Sequence, residues 1–468
     1  MYMPPKNKLT TKIGWNLLLQ NIVPGAFHDS DELYELPKCH PGTRKAILKL
    51  IMSWIEGERI RTSFILWMYG PAGAGKSAIA KTIAEMCAEA RLLAASFFFS
   101  RTASGRNVKT SLMSTLAYQL SLSIPEMRET VSDAIGHDPT IFFRSLPTQI
   151  TKLIVEPLNY VASNQKPLEV TVTKCVVIDG LDECGNVQAQ VEILDALAKL
   201  MSTCSFPLLF LVASRPEYDI REAFNRNTLC SITTTLALDI NYRANKDIRK
   251  FIASRFGKIK QTHPAKNHIP DSWPSPNDMR NLVGKASGQF IYASTVMKFI
   301  ESRQHLPSKR LEIVLGTSPR APDDTPFAQL DAMYHHILSR VSDLNIHPTL
   351  DLISLLVLSN RRYIPAITLS FCNNFFGYET GYLDIILSEV HAILSVPVSG
   401  DHATIIRLHH QSLGDFLLDR SRSKQFWIDS GETHATLAIL SIRYYAKSST
   451  PRFPFGAFHR LVEYPVLV

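Results

Sequence analysis

The segment Gly70-Pro71-Ala72-Gly73-Ala74-Gly75-Lys76-Ser77 constrains the fold of this chain more than any other feature of its sequence. It fits the phosphate-loop pattern G-x-x-x-x-G-K-[ST], whose small residues allow backbone N–H groups to close around a phosphate chain. An apolar run over 63–69 precedes the segment, and a helical pattern over 77–92 follows it. A strand, a glycine loop and a helix start in this order form an anion site, because the first helical turn supplies N–H donors and the positive end of the helix dipole.

The phosphate loop therefore predicts a nucleotide site. Lys76 would reach the β- and γ-phosphates, and the Ser77 hydroxyl would coordinate Mg²⁺. The alternative is a glycine-rich turn that binds no ligand. We expect the nucleotide-binding residues of this segment to be Gly70, Pro71, Ala72, Gly73, Ala74, Gly75, Lys76, Ser77 and Ala78.

A second apolar run, 170–178, ends in the acidic sequence DGLDE at 179–183. The carboxyl ends of parallel strands are where ligands bind in open α/β sheets, so Asp179 could hold Mg²⁺ there, directly or through water. Asp182 and Glu183 are candidate catalytic residues that could orient or deprotonate an attacking water. Alone, an acid after a strand is often a loop residue or a helix cap, but the phosphate loop upstream favours the nucleotide site.

A third apolar run, 207–213, leads directly to Ser214, Arg215 and Pro216. Arg215 would then lie at the same edge of the sheet, where a guanidinium can contact the γ-phosphate and distinguish a triphosphate from a diphosphate. The alternative is an arginine that pairs with a surface acid.

Composition narrows the classes of protein that this chain can be. Its 468 residues are too many for one ordinary domain, and its apolar fraction of 45% is that of a globular protein. The net charge of +8 is mild and no run of lysine and arginine is interleaved with aromatic residues, so we expect no nucleic-acid partner. The seven cysteines form no CxxC pair, which argues against a disulfide framework or a zinc site. No apolar window reaches the length of a membrane span, and we expect a cytoplasmic protein.

The order of the apolar patterns predicts the architecture. Strands alternating with helices over 60–240 indicate an α/β P-loop NTPase fold, which is a parallel sheet with helices on both faces. An α-helical domain and a winged-helix-like domain would follow, because helices precede two strand-like runs at 392–397 and 404–408. We expect five segments: an N-terminal arm and lead-in helix over 1–60, the P-loop nucleotide-binding domain over 61–240, a helical domain over 241–330, the winged-helix-like domain over 331–428 and a C-terminal tail over 429–468.

Two local predictions concern less regular stretches. Residues 1–24 are polar, with Pro4, Pro5 and several lysines, which predicts a loose arm with one short helix around 15–20. Helical periodicity dominates 277–302, which predicts helix over that stretch.

In combination, the phosphate loop, the DGLDE sequence and the Ser-Arg-Pro sequence resemble a NACHT domain. This domain is the nucleotide-switch module of NLR-type signalling ATPases in the STAND class. Four further segments are similar to the fungal branch of that family: KCHPGTR at 38–44, TLAYQL at 115–120, ASGQFIYA at 286–293 and LHHQSLGDFL at 408–417. The resemblance extends over roughly residues 25–430.

The resemblance implies a switch that closes over ADP, opens on exchange for ATP and then assembles into a homo-oligomer, with slow ATP hydrolysis resetting it. It implies that Gly42 to Arg44 lie near the adenine and ribose, with Thr43 as the cofactor-binding residue, and that His410 is the winged-helix histidine that contacts the phosphates of ADP. Without the family pattern, His409 and His410 would be ordinary partly buried histidines. The family also implies protein signalling partners of unknown identity and a role in innate immunity or heterokaryon incompatibility.

Two features depart from the family pattern. Gly288-Gln289-Phe290 stands where related ATPases have a Gly-x-Pro sequence against adenine. The chain has neither the effector domain nor the repeats of many members, which predicts either a minimal switch or a truncated gene model. Two other functions stay open at this point: a metabolic P-loop kinase or transferase, and a scaffold that holds a structural nucleotide.

Overall fold

The chain folds into two compact units. The first comprises Met1–Gly70 with Gly75–Tyr242, and the second comprises Pro71–Ala74 with Arg243–Val468. The chain therefore leaves the first unit at Pro71, in the middle of the phosphate loop, and returns to it at Gly75. The computed structural model describes residues 8–33, 36–57, 63–164, 173–238, 244–318, 324–358, 367–395 and 405–447.

A parallel five-stranded sheet forms the centre of the first unit, in the order β2-β3-β4-β1-β5. Its strands are β1 (Ile65–Tyr69), β2 (Leu93–Phe98), β3 (Lys174–Asp179), β4 (Leu208–Ser214) and β5 (Thr233–Ala237). Every residue of β4 is buried, as the continuous apolar run at its position requires. Successive side chains of a strand point to opposite faces, and Val176 and Val177 of β3 are both fully buried, so both faces of the sheet are covered. The predicted α/β fold is confirmed.

Ten helices of the described chain belong to the first unit. They are α1 (Lys8–Gln20), α2 (Lys45–Glu56), α3 (Lys76–Glu89), α4 (Leu112–Ser123), α5 (Met127–His137), α6 (Leu146–Ile150), α7 (Glu156–Asn164), α8 (Val187–Thr203), α9 (Tyr218–Asn225) and α10 (Asn227–Cys230). Short 3-10 turns connect several of them, and a π-helical turn, Thr151–Val155, joins α6 to α7. On one face of the sheet, Trp67 of β1 stacks on Phe224 of α9 with ring centroids 4.3 Å apart.

The prediction of a loose N-terminal arm is wrong, because α1 packs along α5. At the crossing, a Cβ added to Gly14 would lie 1.9 Å from the carbonyl oxygen of Ser132, and one added to Gly136 would lie 2.5 Å from that of Thr10. The two backbones are thus too close for any side chain at either glycine. The guanidinium of Arg128 also lies 4.0 Å from the centre of the Trp15 ring. The described part of the arm, from residue 8 onward, is an integral layer of the first unit.

The second unit is mainly helical. Its elements are α11 (Ala244–Thr262), α12 (Pro276–Ala286), α13 (Phe290–Ile300), α14 (Pro307–Leu315), α15 (Ala328–Leu338), α16 (Ile346–Leu358), α17 (Leu369–Phe376), α18 (Tyr382–Ser388), β6 (Leu394–Ser395), β7 (Arg407–Leu408), α19 (Ser412–Leu418), α20 (Arg420–Ser423) and α21 (Ser430–Lys447). The stretch predicted as helix over 277–302 is broken between α12 and α13. Ser287 and Gly288 have φ values of 43° and 85°, which a right-handed helix cannot contain.

A short antiparallel pair, β6 with β7, matches part of the two strand-like runs near the end of the chain. The turn expected between them, 399–402, lies outside the described residues, so the winged-helix assignment stays a prediction. The aromatic end of the tail at 452–464 also lies outside them. None of the helices that the structure describes combines the length and the apolar character needed to cross a membrane.

Candidate functional site

The phosphate loop connects β1 to α3, and α3 begins at Lys76. Gly75 immediately precedes the helix with a φ of 92°, a left-handed value that glycine adopts without steric cost. The first turn of α3 contains no acidic residue, so no carboxylate of the helix competes with an anion for its N–H groups. The Nζ of Lys76 folds back across the loop and donates to the carbonyl oxygen of Gly70 at 2.8 Å. The side chain of this lysine therefore lies against the main chain of the phosphate loop.

The middle of the loop, Pro71–Ala74, is held by residues of the second unit, to which it belongs. The N–H of Ala72 donates to the carbonyl oxygen of Ala392 at 3.3 Å, and the N–H of Ile291 donates to that of Gly73 at 3.4 Å. The N–H of Ala74 donates to the carbonyl oxygen of Pro71 at 3.3 Å. The amides of Ala72 and Ala74 are thus bonded to the carbonyl groups of Ala392 and Pro71, and either amide would have to release that bond to contact a phosphate. Their contact with a nucleotide stays a prediction.

Ser77 and Asp179 meet at the carboxyl end of the sheet. Both Met68 of β1 and Asp179 of β3 are register partners of Ala213 in the intervening strand β4, so the ends of these strands lie side by side. The hydroxyl of Ser77 lies close enough to the carboxylate of Asp179, which is 4% exposed, to oppose the rise that burial causes in the pKa of that carboxylate. The two predicted Mg²⁺ ligands therefore lie near each other.

The carboxylate of Asp179 is strongly perturbed. Burial raises its pKa to about 7, and the negative charges of Glu183 and Asp182 add to the rise, while the Ser77 hydroxyl and Lys76 oppose it. Among the described residues, none forms a hydrogen bond with its Oδ1 atom. A buried carboxylate oxygen without a donor is an environment that a bound cation would satisfy.

Asp182 follows β3 in a short 3-10 turn, Leu181–Glu183, and it is 3% exposed. Its Oδ1 accepts the backbone N–H of Arg215 at 2.8 Å, and its Oδ2 lies 3.3 Å from Nε of Arg215 and 3.7 Å from Nη2 of Arg101. Burial would raise the pKa of Asp182, but Arg215, Lys76 and Arg101 outweigh burial and hold that pKa below its usual value. Asp182 is thus a charged carboxylate held between arginines.

Glu183 lies beside Asp182 in a different electrostatic environment. Burial and the charge of Asp182 raise the pKa of Glu183, although Arg215 and Arg101 oppose the rise. Its Oε2 accepts the backbone N–H of Arg101 at 3.3 Å. The two adjacent acids therefore differ in character, since Asp182 is committed to ion pairs and Glu183 is the more basic carboxylate.

Lys76 lies within the field of the same acids. Burial lowers its pKa to about 8, with Arg215 contributing to the fall, whereas Asp182, Asp179 and Glu183 favour its charged form. The site thus combines several acids and bases at one edge of the sheet. Such an arrangement suits a ligand that brings both phosphate oxygens and a divalent cation.

Thr43 is buried in the loop that precedes α2, with its hydroxyl bonded to the carbonyl oxygen of His40 at 2.7 Å. That loop is attached to the helix after the phosphate loop, because the N–H of Cys39 donates to Oγ1 of Thr82 in α3 at 3.1 Å. The structure therefore places Thr43 in a loop that is anchored to α3, and the hydroxyl of Thr43 already donates to His40. Its contact with a nucleotide stays a prediction.

His410 is 3% exposed and lies in the second unit, where it lines a small cavity with Ala72. Its Nδ1 accepts the backbone N–H of Ser412 at 3.0 Å, so its Nε2 carries the proton and donates to the carbonyl oxygen of Ala286 at 2.8 Å. Burial lowers the pKa of His410, while the hydrogen bonds to the Ala286 and Lys285 backbone oppose the fall. Both ring nitrogens are thus bonded within the second unit, and a phosphate contact would require Nε2 to release Ala286.

Arg101 is a site residue that the sequence argument missed. It follows β2 in the loop beside the acidic turn, and its Nη2 donates to the carbonyl oxygen of Asp182 at 2.7 Å. The same Nη2 lies 3.5 Å from Oε1 of Glu217. The sequence did contain a pattern that could have indicated Arg101. This residue follows the apolar run 94–99 in the same way as Arg215 follows the apolar run 207–213.

The parallel sheet, the phosphate loop and the acid at the end of β3 occur in the order and at the positions that a P-loop protein requires. The first unit has the P-loop NTPase fold. A family model for the N-terminal domain of nephrocystin 3 matches residues 42–215, which run from the lead-in loop to Arg215 and make up well under half of the chain. A comparison with curated proteins found no match.

Several solved structures are similar to the chain at low identity. The ORC2 protein of Aeropyrum pernix, solved in ADPNP–ADP complexes, is 12% identical, with 95% of this chain and 97% of that chain covered and a TM-score of 0.39. The ORC1 protein of Aeropyrum pernix in complex with DNA is 14% identical, with 80% and 90% covered and a TM-score of 0.34. ORC of Drosophila bound to DNA is 10% identical, with 78% and 92% covered and a TM-score of 0.35. These identities and scores are too low to assign a function.

Proposed function

We propose that this chain is an ATP- and ADP-binding switch of the NACHT, NLR-like signalling class, with slow ATP hydrolysis. One observation carries the nucleotide part of the proposal. Lys76, Ser77 and Asp179 converge at the carboxyl edge of a parallel sheet, beside a helix start that has no acid in its first turn. This combination of cation, hydroxyl and acid binds the phosphates of a nucleotide together with Mg²⁺ in P-loop proteins.

The residues present fit a divalent cation. Ser77 and Asp179 would hold Mg²⁺. The buried Oδ1 of Asp179 accepts no hydrogen bond from the described residues, which supports this assignment. When bound, Mg²⁺ neutralises negative charge on the β- and γ-phosphates. Lys76 would hold the same phosphates from the opposite side of the loop, exchanging its bond to the Gly70 carbonyl for phosphate oxygens.

Glu183 is the acid better suited to assist hydrolysis. Its pKa is raised, whereas the carboxylate of Asp182 is held in ion pairs with Arg215 and Arg101. In the reaction, the water oxygen bonds to the γ-phosphorus, the bond from that phosphorus to the bridging oxygen of ADP breaks, and Glu183 accepts a proton from the water. Asp182 would keep the turn that carries Glu183 in place.

Arg215 provides a means of distinguishing ATP from ADP. Its guanidinium now lies against Asp182, while its backbone N–H bonds to the other oxygen of the same carboxylate. A γ-phosphate would draw the guanidinium away and leave the backbone bond intact. A contact made with ATP and not with ADP is the differential interaction that a nucleotide switch needs.

The position of the phosphate loop supports a switch rather than a simple hydrolase. Its middle, Pro71–Ala74, bonds to Ala392 and Ile291 of the second unit, so a rearrangement of that unit would move the loop. We propose that exchange of ADP for ATP opens the second unit and exposes a surface for homo-oligomerisation. Thr43 near the base and ribose, and His410 on the phosphates of ADP, belong to this proposal, as does a cytoplasmic location with protein partners and no nucleic-acid partner.

Nucleotide-dependent assembly tests the proposal. The full chain is purified, its copurified nucleotide is identified by chromatography, and its mass is measured by light scattering with Mg²⁺ and either ADP or a slowly hydrolysed ATP analogue. We expect bound ADP after purification and a larger mass with the analogue. Lys76→Ala should abolish the change in mass, whereas Lys199→Ala, which alters an exposed lysine of α8, should preserve it.

Other outcomes would favour the alternative functions. Tight nucleotide binding with an unchanged mass would support a scaffold with a structural nucleotide. Rapid transfer of phosphate from ATP to a small molecule would support a metabolic kinase or transferase. Either result would contradict the switch.

A further inference from the structure

The loop after β2 brings Arg101 against the acidic turn that follows β3. Its Nη2 donates to the carbonyl oxygen of Asp182 at 2.7 Å and lies 3.7 Å from Oδ2 of the same residue. Its backbone N–H donates to Oε2 of Glu183 at 3.3 Å, and Nη2 is 3.5 Å from Oε1 of Glu217. One residue therefore contacts the main chain and side chain of the first acid, the side chain of the second acid, and an acid that follows β4.

The acidic turn is held from two sides. Arg101 approaches from the β2 side of β3, and Arg215 approaches from the β4 side, where its N–H and Nε contact the two oxygens of Asp182. The amide of Gln190 adds a third contact, to the Asp182 carbonyl oxygen at 3.2 Å. The guanidinium of Arg101 bonds to the main chain of the turn at Asp182, whereas its contact with Glu183 is made by the backbone N–H. The side chain of Arg101 is thus placed to anchor the turn that carries Glu183.

A second arginine of the same loop, Arg106, has a purely structural set of contacts. The Nε of Arg106 donates to the carbonyl oxygen of Phe98 at 3.0 Å, and its Nη1 lies 3.3 Å from Oε2 of Glu32. These contacts tie the loop to the end of β2 and to the N-terminal segment. Arg106 is buried and comes from the same loop, so it is a matched control for Arg101.

We propose that Arg101 is a positioning residue for ATP hydrolysis: its guanidinium holds Asp182 and the main chain of the acidic turn, so that the adjacent Glu183 carboxylate faces the attacking water. This inference rests on the proposed function. It assigns Arg101 no contact with the nucleotide, because its guanidinium is engaged by Asp182 and Glu217. Loss of Arg101 should therefore affect the chemical step more than nucleotide binding.

The test measures nucleotide affinity and hydrolysis separately in the full chain. Mg²⁺–ATP affinity is determined by equilibrium binding, and kcat by release of inorganic phosphate, for the wild type, Arg101→Gln, Arg101→Lys and Arg106→Gln. Arg101→Gln should lower kcat by about 10- to 100-fold, because misplacing a reacting group by about 1 Å has an effect of this size. Its Kd should stay within about three-fold of the wild type, since binding and chemistry are separable in this way.

The lysine variant separates positioning from folding. A lysine can reach one acceptor but cannot reproduce the planar fork of a guanidinium, so Arg101→Lys should give a kcat between those of the wild type and Arg101→Gln. Arg106→Gln should lower the unfolding midpoint without changing kcat per folded chain. If Arg101→Gln does not fold, the comparison of Arg101→Lys with the wild type decides the question.

The possible results are distinguishable. If the wild type neither binds nor hydrolyses ATP, the proposed function itself is overturned. If the wild type hydrolyses ATP and Arg101→Gln has the same kcat per folded chain, the positioning role is overturned and the proposed function stands. A parallel loss of affinity and kcat in Arg101→Gln would also overturn it, because it would show that Arg101 acts in binding.

Discussion

The backbone N–H of Arg215 donates to Oδ1 of Asp182 at 2.8 Å, while its Nε lies 3.3 Å from Oδ2 of the same carboxylate. This two-point contact joins the residue that follows β4 to the turn that follows β3. Both side chains are largely buried, with 14% of Arg215 and 2% of Asp182 exposed. A carboxylate in this position both supports the fold and restrains the candidate γ-phosphate sensor.

Removal of Asp182 should strongly destabilise the first unit. Asp182→Ala leaves the charges of Arg215 and Arg101 without this partner, and breaking a buried ion pair costs about 3–5 kcal/mol of unfolding free energy. Asp195→Ala is the matched control, because it removes an ion pair to Arg226 whose side chains are more than half exposed, and such pairs are worth about 0–1 kcal/mol. Urea denaturation measures both effects. Equal losses in the two variants would contradict a structural role for the buried pair.

Substituting alanine for two helical glycines should have opposite effects, because Gly14 lies at the crossing of α1 with α5 and Gly257 lies in open space on α11. Gly14→Ala should cost about 1–3 kcal/mol or more of unfolding free energy, because its Cβ would overlap the carbonyl oxygen of Ser132. Gly257→Ala should instead stabilise by about 0.4–1 kcal/mol, because Gly257 lies within α11 and no atom is within 4 Å of the added carbon. Thermal unfolding of the two variants checks the prediction. A Gly14→Ala variant as stable as the wild type would show that α1 does not lie against α5.

Gly14 and Gly288 show how far local sequence could predict the helices. The residues around Gly14 gave a weak local helix signal, because glycine is a poor helix former and the partner helix lies more than 100 residues away in the chain. Tertiary contact with α5 supplies the stability that the local sequence lacks. The break between α12 and α13 did carry a local signal, since Gly288 adopts a left-handed conformation that glycine tolerates.

The candidate site was more predictable than the N-terminal helix. Asp179 ends the apolar run of β3, and Arg215 follows that of β4. Because these strands are parallel neighbours, both residues lie at the same edge of the sheet. The pairing of Arg215 with Asp182 could not be predicted, because it depends on the shape of a three-residue turn. The hydrogen bond from Ala72 to Ala392 joins residues that are more than 300 positions apart in the chain, and no local sequence pattern encodes such a contact.

The environment of His410 predicts a specific pH dependence of stability. Its pKa in the folded chain lies below the unfolded value of 6.5, because burial disfavours the charged ring. The unfolded state therefore takes up a proton first, and the stability that neutral His410 contributes above pH 6.5 is lost as the pH falls below that value. Urea denaturation between about pH 7.5 and about pH 5.5 measures this loss.

Two glutamine variants isolate the contribution of His410. The unfolding free energy of His410→Gln should fall less steeply with decreasing pH than that of the wild type. His137→Gln, which removes an exposed histidine of α5, is the matched control. Identical slopes in all three proteins would contradict a buried, neutral His410.

The central claim is that the phosphate loop binds a nucleotide through Lys76, and equilibrium binding of Mg²⁺–ATP to the full chain tests it most directly. We predict saturable binding of one nucleotide per chain and an affinity at least about 100-fold weaker in Lys76→Ala, equivalent to roughly 2.7 kcal/mol. Lys199→Ala should bind like the wild type. Absence of binding in the wild type, or equal affinities of the wild type and Lys76→Ala, would contradict the assignment of this loop as a nucleotide site.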